Sequence, residues 1–476
     1  MNQENSAEQT MSPPSRLLPW IVAVGFFMQM LDGTILNTAL PGMATEMGVA
    51  PLRMQSVVIA YMLTTALVIP ASGWLADRFS PKRIFVFAIF VFTLGSLLCA
   101  ISPTLSLMVM SRIVQGIGGA LMVPVGRLIA LRAYPRSEMV RVLSFITLPG
   151  LIGPLLGPTA GGFLVQYATW HWIFLINLPV GALGCVLAWK FMPNIPSEPE
   201  TRHFDSLGFV LFGGSMVLIS MAMEGLGELH LPKVQATLLC ILGLGCLALY
   251  WLRATRLAEP LFSPTLFKTR AFSVGILGNV FSRLGSGAMP FLLPLFLQLV
   301  LGFTPFQSGM TMIPGALAAF VGKALINSMV KRFGFRNFLI VNTLALGLMF
   351  ISLALIDART HYGLLLAQLF VFGIFNSMQF TAMNTVTLYD LTDEQTGPGN
   401  SLLSVTMQIS AGCGVALAAA LLDGFLSRYG LHPGQEQLMT AFRATFICIG
   451  ALSVVTCTIF SQLPAATGRQ AKPEKP

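Results

Sequence analysis

Apolar stretches long enough to cross a membrane recur along the whole chain and constrain its fold more than any other feature. A membrane-spanning helix needs about 20 mostly apolar residues, and lipid offers its backbone no other hydrogen-bond partners. Hydrophobic residues make up 55% of the 476-residue chain and charged residues only 10%, whereas soluble domains carry about 25% charged residues. We therefore predict an all-α polytopic membrane protein with fourteen transmembrane helices, at residues 17–40, 55–76, 84–101, 104–131, 142–167, 170–192, 206–226, 235–252, 272–300, 305–327, 338–356, 362–388, 400–423 and 441–463.

The lysines and arginines predict how these spans are oriented. Cytoplasmic segments of membrane proteins carry an excess of both residues. With the N-terminus in the cytoplasm, nineteen of the 28 basic residues fall in cytoplasmic segments and five on the opposite side. We therefore predict that both termini are cytoplasmic, with tails at residues 1–16 and 464–476. The net charge of +9 follows from this topology, and no basic helix or stripe indicates nucleic-acid binding.

A short basic loop occurs twice and indicates an internal repeat. Residues 77–83 (DRFSPKR) follow the second predicted span, and residues 331–336 (KRFGFR) follow the tenth. Each loop closes the second span of a set of six. We predict a major facilitator type of fold, with six-helix bundles at residues 17–192 and 272–463 and a linker with two inserted spans at 193–271. Repeats of this kind build transporters whose halves rock about a site near the bilayer midplane.

Asp32 is an acid that lies well inside the first predicted span. A carboxylate at that depth costs several kcal/mol, about 3 or more, unless it is paired, hydrated or protonated. Arg112 lies in the outer half of the fourth predicted span, at a comparable depth. We predict that the two residues pair and couple proton movement to transport. The alternative for Arg112 is a side chain that reaches the outer headgroups.

The loop after the second span carries the residues expected of a gate. Gly73 would let two helices approach closely, and Asp77 could be held by a helix N-terminus or a basic partner. Arg78, Lys82 and Arg83 complete this predicted gating motif. The alternative is a basic loop that only sets membrane topology.

The fifth predicted span carries glycines at a regular interval. Gly153, Gly157 and Gly161 recur every four residues, so that they form one flat face for close helix packing. Two prolines in the same span remove backbone donors and loosen the helix. We predict a hinge at a sliding helix contact, with plain helix packing as the alternative. The motif comprises Gly150, Gly153, Pro154, Gly157, Pro158, Gly161 and Gly162.

Polar residues inside the spans are candidate substrate contacts. Asn279, Ser282, Arg283 and Ser286 follow helical spacing and form one polar stripe on an apolar helix. Arg283 either pairs with an acid of the other half or is a fixed cation that recognises an anionic substrate. The alternative for Arg127 is contact with the headgroups, and the alternative for Asn376 and Gln379 of the twelfth span is polar pairing within the core. The predicted substrate cavity comprises Gln29, Arg127, Asn279, Arg283, Asn376 and Gln379.

The sequence lacks the signals that are typical of other classes of protein. The chain has no Gly-x4-Gly-Lys-Ser/Thr motif for a nucleotide-driven pump. Its five histidines and seven cysteines are scattered, without the grouping of a catalytic, metal or disulfide site. A channel does not need duplicated gating loops. We therefore expect a monomeric transporter, not an enzyme, without cofactor or metal, whose partners are the bilayer, protons and a small-molecule substrate.

These motifs together resemble those of the major facilitator superfamily, and the resemblance covers nearly the whole chain. Residues 73–83 are similar to its loop between helices 2 and 3, and residues 112–119 to its helix-4 motif. Residues 150–162 resemble the antiporter motif of drug exporters. Residues 31–41 and 170–181 are similar to the helix-1 and helix-6 signatures of the fourteen-helix drug:proton antiporters.

The resemblance implies a function and a role for several residues. It implies proton-coupled export of drugs or other toxic small molecules across the bacterial inner membrane by alternating access. Asp32 and Arg112 would act in proton coupling and Asp77 in gating. Ser80 stands where the loop motif usually has glycine. Because the charges within the spans are mainly basic, the alternative substrate is a small organic anion or a metal chelate, such as citrate or iron-citrate.

Overall fold

The structure is a computed structural model that describes residues 17–134, 136–195, 204–227, 233–257, 260–357, 359–429 and 434–464. Within these ranges all regular structure is helical, as the apolar stretches predict. The predicted N-terminal tail and all but the first residue of the predicted C-terminal tail lie outside the described residues. Residues 196–203 of the predicted linker also lie outside them.

The helices of the N-terminal half begin where the local sequence favours them. Pro19 lies in the first turn of its helix, where a missing N–H breaks no hydrogen bond. The hydroxyl of Thr104 accepts a hydrogen bond from the backbone N–H of Leu107 and caps another helix. The helices are α1 (Leu18–Ile35), α2 (Leu40–Glu46), α3 (Gln55–Val68), α4 (Ser72–Phe79), α5 (Pro81–Ala100), α6 (Leu105–Ala133), α7 (Arg136–Tyr167), α8 (Trp172–Leu175) and α9 (Asn177–Phe191).

The remaining helices include one that contains two predicted spans. They are α10 (Ser206–Gly227), α11 (Lys233–Ala254), α12 (Arg270–Ser286), α13 (Met289–Leu295), α14 (Pro305–Leu353), α15 (Tyr362–Tyr389), α16 (Asp393–Leu426) and α17 (Gln435–Phe460). Thr304 and Gln307 form a capping box at the start of α14. Within α14 the chain changes direction at Gly334, where φ is 74°. The predicted spans 305–327 and 338–356 are the parts of α14 before and after this residue.

The described part of the chain contains eleven helical stretches that are long and apolar enough to cross a membrane. One of them is α14 with its change of direction, and α10 contributes a shorter apolar stretch, Ser206–Ala222. The prediction of an all-α polytopic membrane protein is therefore confirmed. The count of fourteen spans and the cytoplasmic position of both termini stay predictions.

The buried apolar side chains form separate clusters, two of which are each confined to one half of the chain. One cluster lies within residues 18–195, and another lies within residues 274–463. Because van der Waals packing stabilises each set of helices on its own, such clusters are expected of two bundles that move against each other. The division at 17–192 and 272–463 stays a prediction.

The two halves touch along α3 and α16 and also at one end of the molecule. At the end where α1 finishes and α14 begins, Gln298 Nε2 donates a hydrogen bond to the backbone carbonyl of Thr38 at 3.0 Å. Leu36 and Phe291 belong to a third apolar cluster, which spans both halves. We call this the far end. The opposite end, which carries Asp77, is called the basic end.

The inserted helices α10 and α11 are joined to each other and lie against both halves. The buried carboxylate of Asp205, just before α10, forms an ion pair with Arg253 at the end of α11. α10 packs on both α3 and α16. Met216 of α10 lies with Leu63 of α3 and Gln408 of α16 around one small gap. The inserted pair therefore covers the line where α3 of the first half meets α16 of the second.

Candidate functional site

Asp32 and Arg112 are in direct contact inside the N-terminal half. Arg112 Nη1 donates a hydrogen bond to Asp32 Oδ2 at 2.6 Å, and both residues are 1% exposed. Opposite charges are tolerated at such depth only when they are paired and further hydrogen-bonded. In this structure Arg112 therefore does not reach the headgroups, and the two residues lie together as the pairing prediction requires.

Polar side chains that we did not predict complete the surroundings of this pair. Gln115 Nε2 donates to Asp32 Oδ1 at 2.8 Å, and Asn177 Nδ2 approaches the same oxygen at 3.4 Å. Gln115 Oε1 accepts from Arg112 Nη1 at 2.6 Å. Ser96 Oγ accepts from the amides of Gln115 and Asn177, at 2.8 and 3.3 Å. Each of these residues is a polar residue within an apolar span, and this polarity was the only sign of them in the sequence.

The third helix holds the guanidinium of Arg112 from another side. Arg112 Nε donates to the backbone carbonyl of Val57 at 3.4 Å. The guanidinium carbon lies 4.2 Å from the ring centroid of Tyr61, and such cation–π contacts strengthen when they are shielded from water. Side chains or carbonyls from α1, α3, α5, α6 and α9 therefore surround the ion pair. A proton on Asp32 would cancel the charge that attracts Arg112 to α1.

The glycine face of α7 packs directly on α1, the helix that carries the acid. A Cβ at Gly153 would lie 2.8 Å from the Cβ of Met30. A Cβ at Gly157 would collide with the hydroxyl of Thr34, and one at Gly161 with the backbone of α1. The Thr34 hydroxyl also donates to the carbonyl of Gly153 at 3.3 Å. The two backbones are thus in contact along three helical turns.

The prolines of the same motif do not interrupt the helix. α7 continues through Pro154 and Pro158 to Tyr167. The surroundings of Gly150 lie outside the part of the chain whose side chains are described. A hinge in α7 therefore stays a prediction, while its close-packed face is observed.

The last glycine of the motif faces the other half of the molecule. A Cβ at Gly162 would collide with the backbone carbonyl of Pro305 at the start of α14. Reciprocally, a Cβ at Gly309 of α14 would collide with the carbonyl of Pro158. The two glycines allow the backbones of α7 and α14 to touch, and this contact closes the far end.

Asp77 of the gating motif pairs with a residue outside that motif. Arg132 Nη2, at the end of α6, donates to Asp77 Oδ1 at 2.8 Å. Arg78 and Arg83 are exposed and Lys82 is partly exposed. The ion pair joins the end of α4 to the end of α6 within the N-terminal half. Because both partners are partly exposed, the pair contributes little stability by itself.

The expected close helix approach at Gly73 is wrong for this structure. Gly73 is exposed, and a Cβ there would meet nothing within 4 Å. The helix turns its other side inward, where Ala76 is fully buried. Gly73 is therefore free of helix contacts in the conformation observed.

Ser80 adopts a backbone conformation that favours glycine. Its φ is 76°, and the matching residue of the repeated loop, Gly334, has φ 74°. Conformations of this kind cost a residue with a Cβ on the order of 1–3 kcal/mol. The Ser80 hydroxyl donates to the carbonyl of Ile195 at 3.0 Å, which partly compensates and ties the loop to the start of the linker.

We expect Ser80→Gly to be more stable than Ser80→Ala by about 1 kcal/mol. Both variants lose the hydrogen bond to Ile195, so the difference between them isolates the backbone strain. The measurement is the thermal unfolding midpoint of the two purified variants in the same detergent. Equal midpoints would show that the loop carries no such strain.

The C-terminal half contains a buried cation without an acidic partner among the described residues. Arg283 is 9% exposed, and its Nε donates to Asn279 Oδ1 at 3.2 Å. Its guanidinium carbon lies 4.3 Å from the ring centroid of Phe380. Its Nη2 has no hydrogen-bond partner within the described ranges. Asp32 pairs with Arg112, so the predicted alternative of an ion pair across the two halves is absent between these residues.

Two other cavity candidates are engaged within the C-terminal half. Gln379 is 2% exposed, accepts from Asn342 at 2.8 Å and donates to Thr343 at 2.8 Å. Asn279 is fully buried and donates to the Thr387 hydroxyl at 3.4 Å. These contacts favour the alternative of pairing within the core in this conformation, and a role of both residues in the cavity stays a prediction.

The remaining candidates have fewer fixed contacts. Asn376 is partly exposed. Arg127 is exposed, and its guanidinium carbon lies 5.7 Å from the ring centroid of Phe26. Gln29 is 8% exposed, and its Oε1 has no partner among the described residues. A substrate contact by these three side chains stays a prediction.

Comparison with known proteins gives consistent likenesses over the whole chain. The family profile described as Major Facilitator Superfamily matches residues 22–414. The chain is 46% identical over 451 residues to "Putative multidrug resistance protein MdtD" of Pectobacterium atrosepticum, covering 95% of this chain and 96% of that protein. It is 46% identical over 448 residues to the protein of the same name from Serratia proteamaculans, covering 94% and 93%.

Solved structures share the fold at much lower identity. The POT family transporter PepTSo has a TM-score of 0.70 and 14% identity, covering 94% of this chain and 97% of that one. The nucleoside transporter NupG has a TM-score of 0.60 and 14% identity, covering 93% and 98%. At such identity the likeness concerns the arrangement of helices and leaves the substrate open.

Proposed function

The chain belongs to the major facilitator superfamily, and we propose that it is a proton-coupled antiporter that exports drugs or other toxic small molecules from the cytoplasm. It is a multi-pass transporter of the bacterial inner membrane, so the expectation of a transporter, not an enzyme, is confirmed. The names of its relatives support a multidrug substrate range. In the proposal one chain acts as a monomer, with bundles at 17–192 and 272–463 on either side of the substrate.

The buried pair of Asp32 and Arg112 is the observation that carries this proposal. A carboxylate that pairs with an arginine loses the pairing energy when it is protonated, because only the ionised form attracts the cation. Protonation from one side and release to the other would therefore alternate the contacts of Arg112 with α1. These contacts lie beside the glycine face by which α7 packs on α1, so a change of charge at Asp32 acts at a contact between helices.

Proton movement supplies the energy for outward transport in this scheme. One elementary charge crossing the membrane releases about 2.3 kcal/mol per 100 mV. In this scheme substrate enters from the basic end while the contact of α7 with α14 keeps the far end closed. Opening of the far end would release substrate outside and let Asp32 load a proton.

The proposal is tested by transport into proteoliposomes under an imposed proton gradient. We would use ethidium as a lipophilic cation and citrate as a small anion. The expected result is ethidium transport that requires the gradient and stops when a protonophore collapses it. Transport of either probe at the same rate without a proton gradient would contradict proton coupling, and transport of neither would contradict this substrate range.

A specific observation favours a second candidate function, export of a small organic anion or its metal chelate. Arg283 is buried beside the aromatic ring of Phe380, and its Nη2 has no partner in the described ranges. Charged hydrogen bonds from a guanidinium to a carboxylate are among the strongest available. An anionic substrate would satisfy this group, whereas a cationic substrate would be repelled by it.

We expect Arg283→Ala to reduce citrate transport by about tenfold or more if the substrate is anionic. The same variant should not lower ethidium transport, because a cation gains nothing from Arg283. Lys323→Ala, which removes an exposed cation from α14, serves as the matched control. A citrate rate unchanged by Arg283→Ala would contradict a role of this side chain in binding anions.

A further inference from the structure

Three buried oxygens without hydrogen-bond partners lie close together beside the Asp32–Arg112 pair. They are Gln29 Oε1, Tyr61 Oη and Thr65 Oγ1, and none has a partner among the described residues. The three residues are 8%, 5% and 0% exposed. The side chains of Gln29 and Thr65 lie within hydrogen-bonding reach of the Tyr61 hydroxyl, but none of these contacts has normal hydrogen-bond geometry.

The position of these oxygens relative to Asp32 follows from the helices that carry them. Gln29 precedes Asp32 by three residues on α1, which is one turn toward the basic end. Thr65 follows Tyr61 by four residues on α3, which runs toward the same end. The Tyr61 ring itself lies against the guanidinium of Arg112. The cluster therefore extends from the ion pair toward the basic end.

A glycine provides the space beside this cluster. A Cβ on Gly119 of α6 would come within 2.5 Å of the Tyr61 hydroxyl. Gly119 thus leaves room for a polar group in a region otherwise filled by apolar side chains. Its presence in the helix-4 motif has a local physical reason.

Buried polar atoms without partners are costly, at about 1–3 kcal/mol each. Native proteins satisfy such groups with internal water, which needs two to four polar partners. Gln29 of α1 and Tyr61 and Thr65 of α3 supply three oxygens. The physical chemistry of the cluster is therefore that of an internal hydration site.

We propose that Gln29, Tyr61 and Thr65 hold a few water molecules that exchange the proton with Asp32 on the side that faces the basic end. When Asp32 releases its proton, the O–H bond at the carboxyl breaks, a new O–H bond forms on the adjacent water, and that water passes on a different proton. The carboxylate that remains pairs again with Arg112. The inference rests on the proposed proton coupling and assigns the route of the proton.

The inference is tested by following protonation of Asp32 directly, without a transported substrate. Infrared spectroscopy after a rapid drop in pH records the carboxyl band of Asp32, which Asp32→Asn identifies by removing it. Tyr61→Phe keeps the ring on Arg112 and removes the hydroxyl, and Thr65→Val removes a hydroxyl at nearly constant shape. We expect each variant to slow protonation by about tenfold, the factor that one lost hydrogen bond can supply.

Tyr362→Phe is the matched control, because its hydroxyl contacts Thr311 near the far end and should leave the rate unchanged. Wild-type rates in both Tyr61→Phe and Thr65→Val, with both variants folded by circular dichroism, would overturn the inference. The absence of any band that depends on Asp32 would overturn it as well. Failure of gradient-driven transport in proteoliposomes would instead count against the proposed function, so the two failures are distinguishable.

Discussion

Replacing Asp32 by asparagine is expected to reduce proton-driven transport by about a hundredfold or more, which is the usual loss when an essential proton-transfer group is removed. Asparagine keeps the size of the side chain and a hydrogen-bond acceptor for Arg112. It cannot gain or lose a proton in the working pH range. The measurement is gradient-driven transport, in proteoliposomes, of whichever probe the wild-type protein carries.

The same substitution should also destabilise the protein, and this effect needs its own control. Removing one partner of a buried ion pair leaves an uncompensated charge and costs about 3–5 kcal/mol. The double variant Asp32→Asn/Arg112→Gln removes both charges and should recover most of the thermal stability. It should not recover transport. A double variant that transports at the wild-type rate under a proton gradient would show that the pair does not couple protons.

Arg112→Gln alone should be less destabilising than Asp32→Asn, although the two changes break the same ion pair. A carboxylate left without its partner can take up a proton and become neutral, whereas a guanidinium stays charged. The difference would appear as a lower unfolding midpoint for Asp32→Asn. Equal midpoints would indicate that Arg112 finds enough compensation in Gln115 and the ring of Tyr61.

The helical architecture could be predicted because lipid imposes a simple rule on the sequence. Runs of about 20 apolar residues become helices, and residues such as Pro19 and Thr304 mark where some of them begin. The rule alone does not mark short turns between spans, but the repeated basic loop at residues 331–336 predicts one there. Gly334, with φ 74°, separates the two helices that follow each other within α14.

The candidate site was predictable only in part, because its residues come from five helices. Asp32 and Arg112 could be named, since each charge is costly in its own apolar span. The rotation of each span could not be deduced, because lipid-facing and core-facing residues are both apolar. Gln379 was therefore assigned to the cavity, although it faces Asn342. Asn177 is recognisable as a polar residue in an apolar span, but its contact with Asp32 depends on how helices distant in the sequence pack together.

Gly162→Ala is expected to open the far end and to shift the protein away from the conformation described. Its new Cβ would collide with the backbone carbonyl of Pro305, and backbone cannot move aside as a flexible side chain does. Overpacking of this kind costs about 1–3 kcal/mol. Because the contact joins the two halves, this cost applies to the closed state alone, and separation of α7 from α14 relieves it.

The shift can be measured by the labelling of one cysteine at the far end. The background is a protein without its seven native cysteines. Gln298 bridges the halves in the closed state, so Gln298→Cys should react with a membrane-impermeant maleimide from outside only after the halves separate. A change of about 1.4 kcal/mol alters a population ratio tenfold, so Gly162→Ala should speed labelling by about that factor. Gly424→Ala, whose Cβ would meet nothing within 4 Å, should leave the rate unchanged.

Gly309 of α14 provides a second test of the same contact. Gly309→Ala would collide with the carbonyl of Pro158 from the other side of the same contact, so it should speed labelling as Gly162→Ala does. Gly157→Ala, by contrast, collides with Thr34 inside the N-terminal half. It should lower thermal stability without opening the far end. If all three variants gave the same labelling rate, the contact of α7 with α14 would be a packing contact that does not control access to the site.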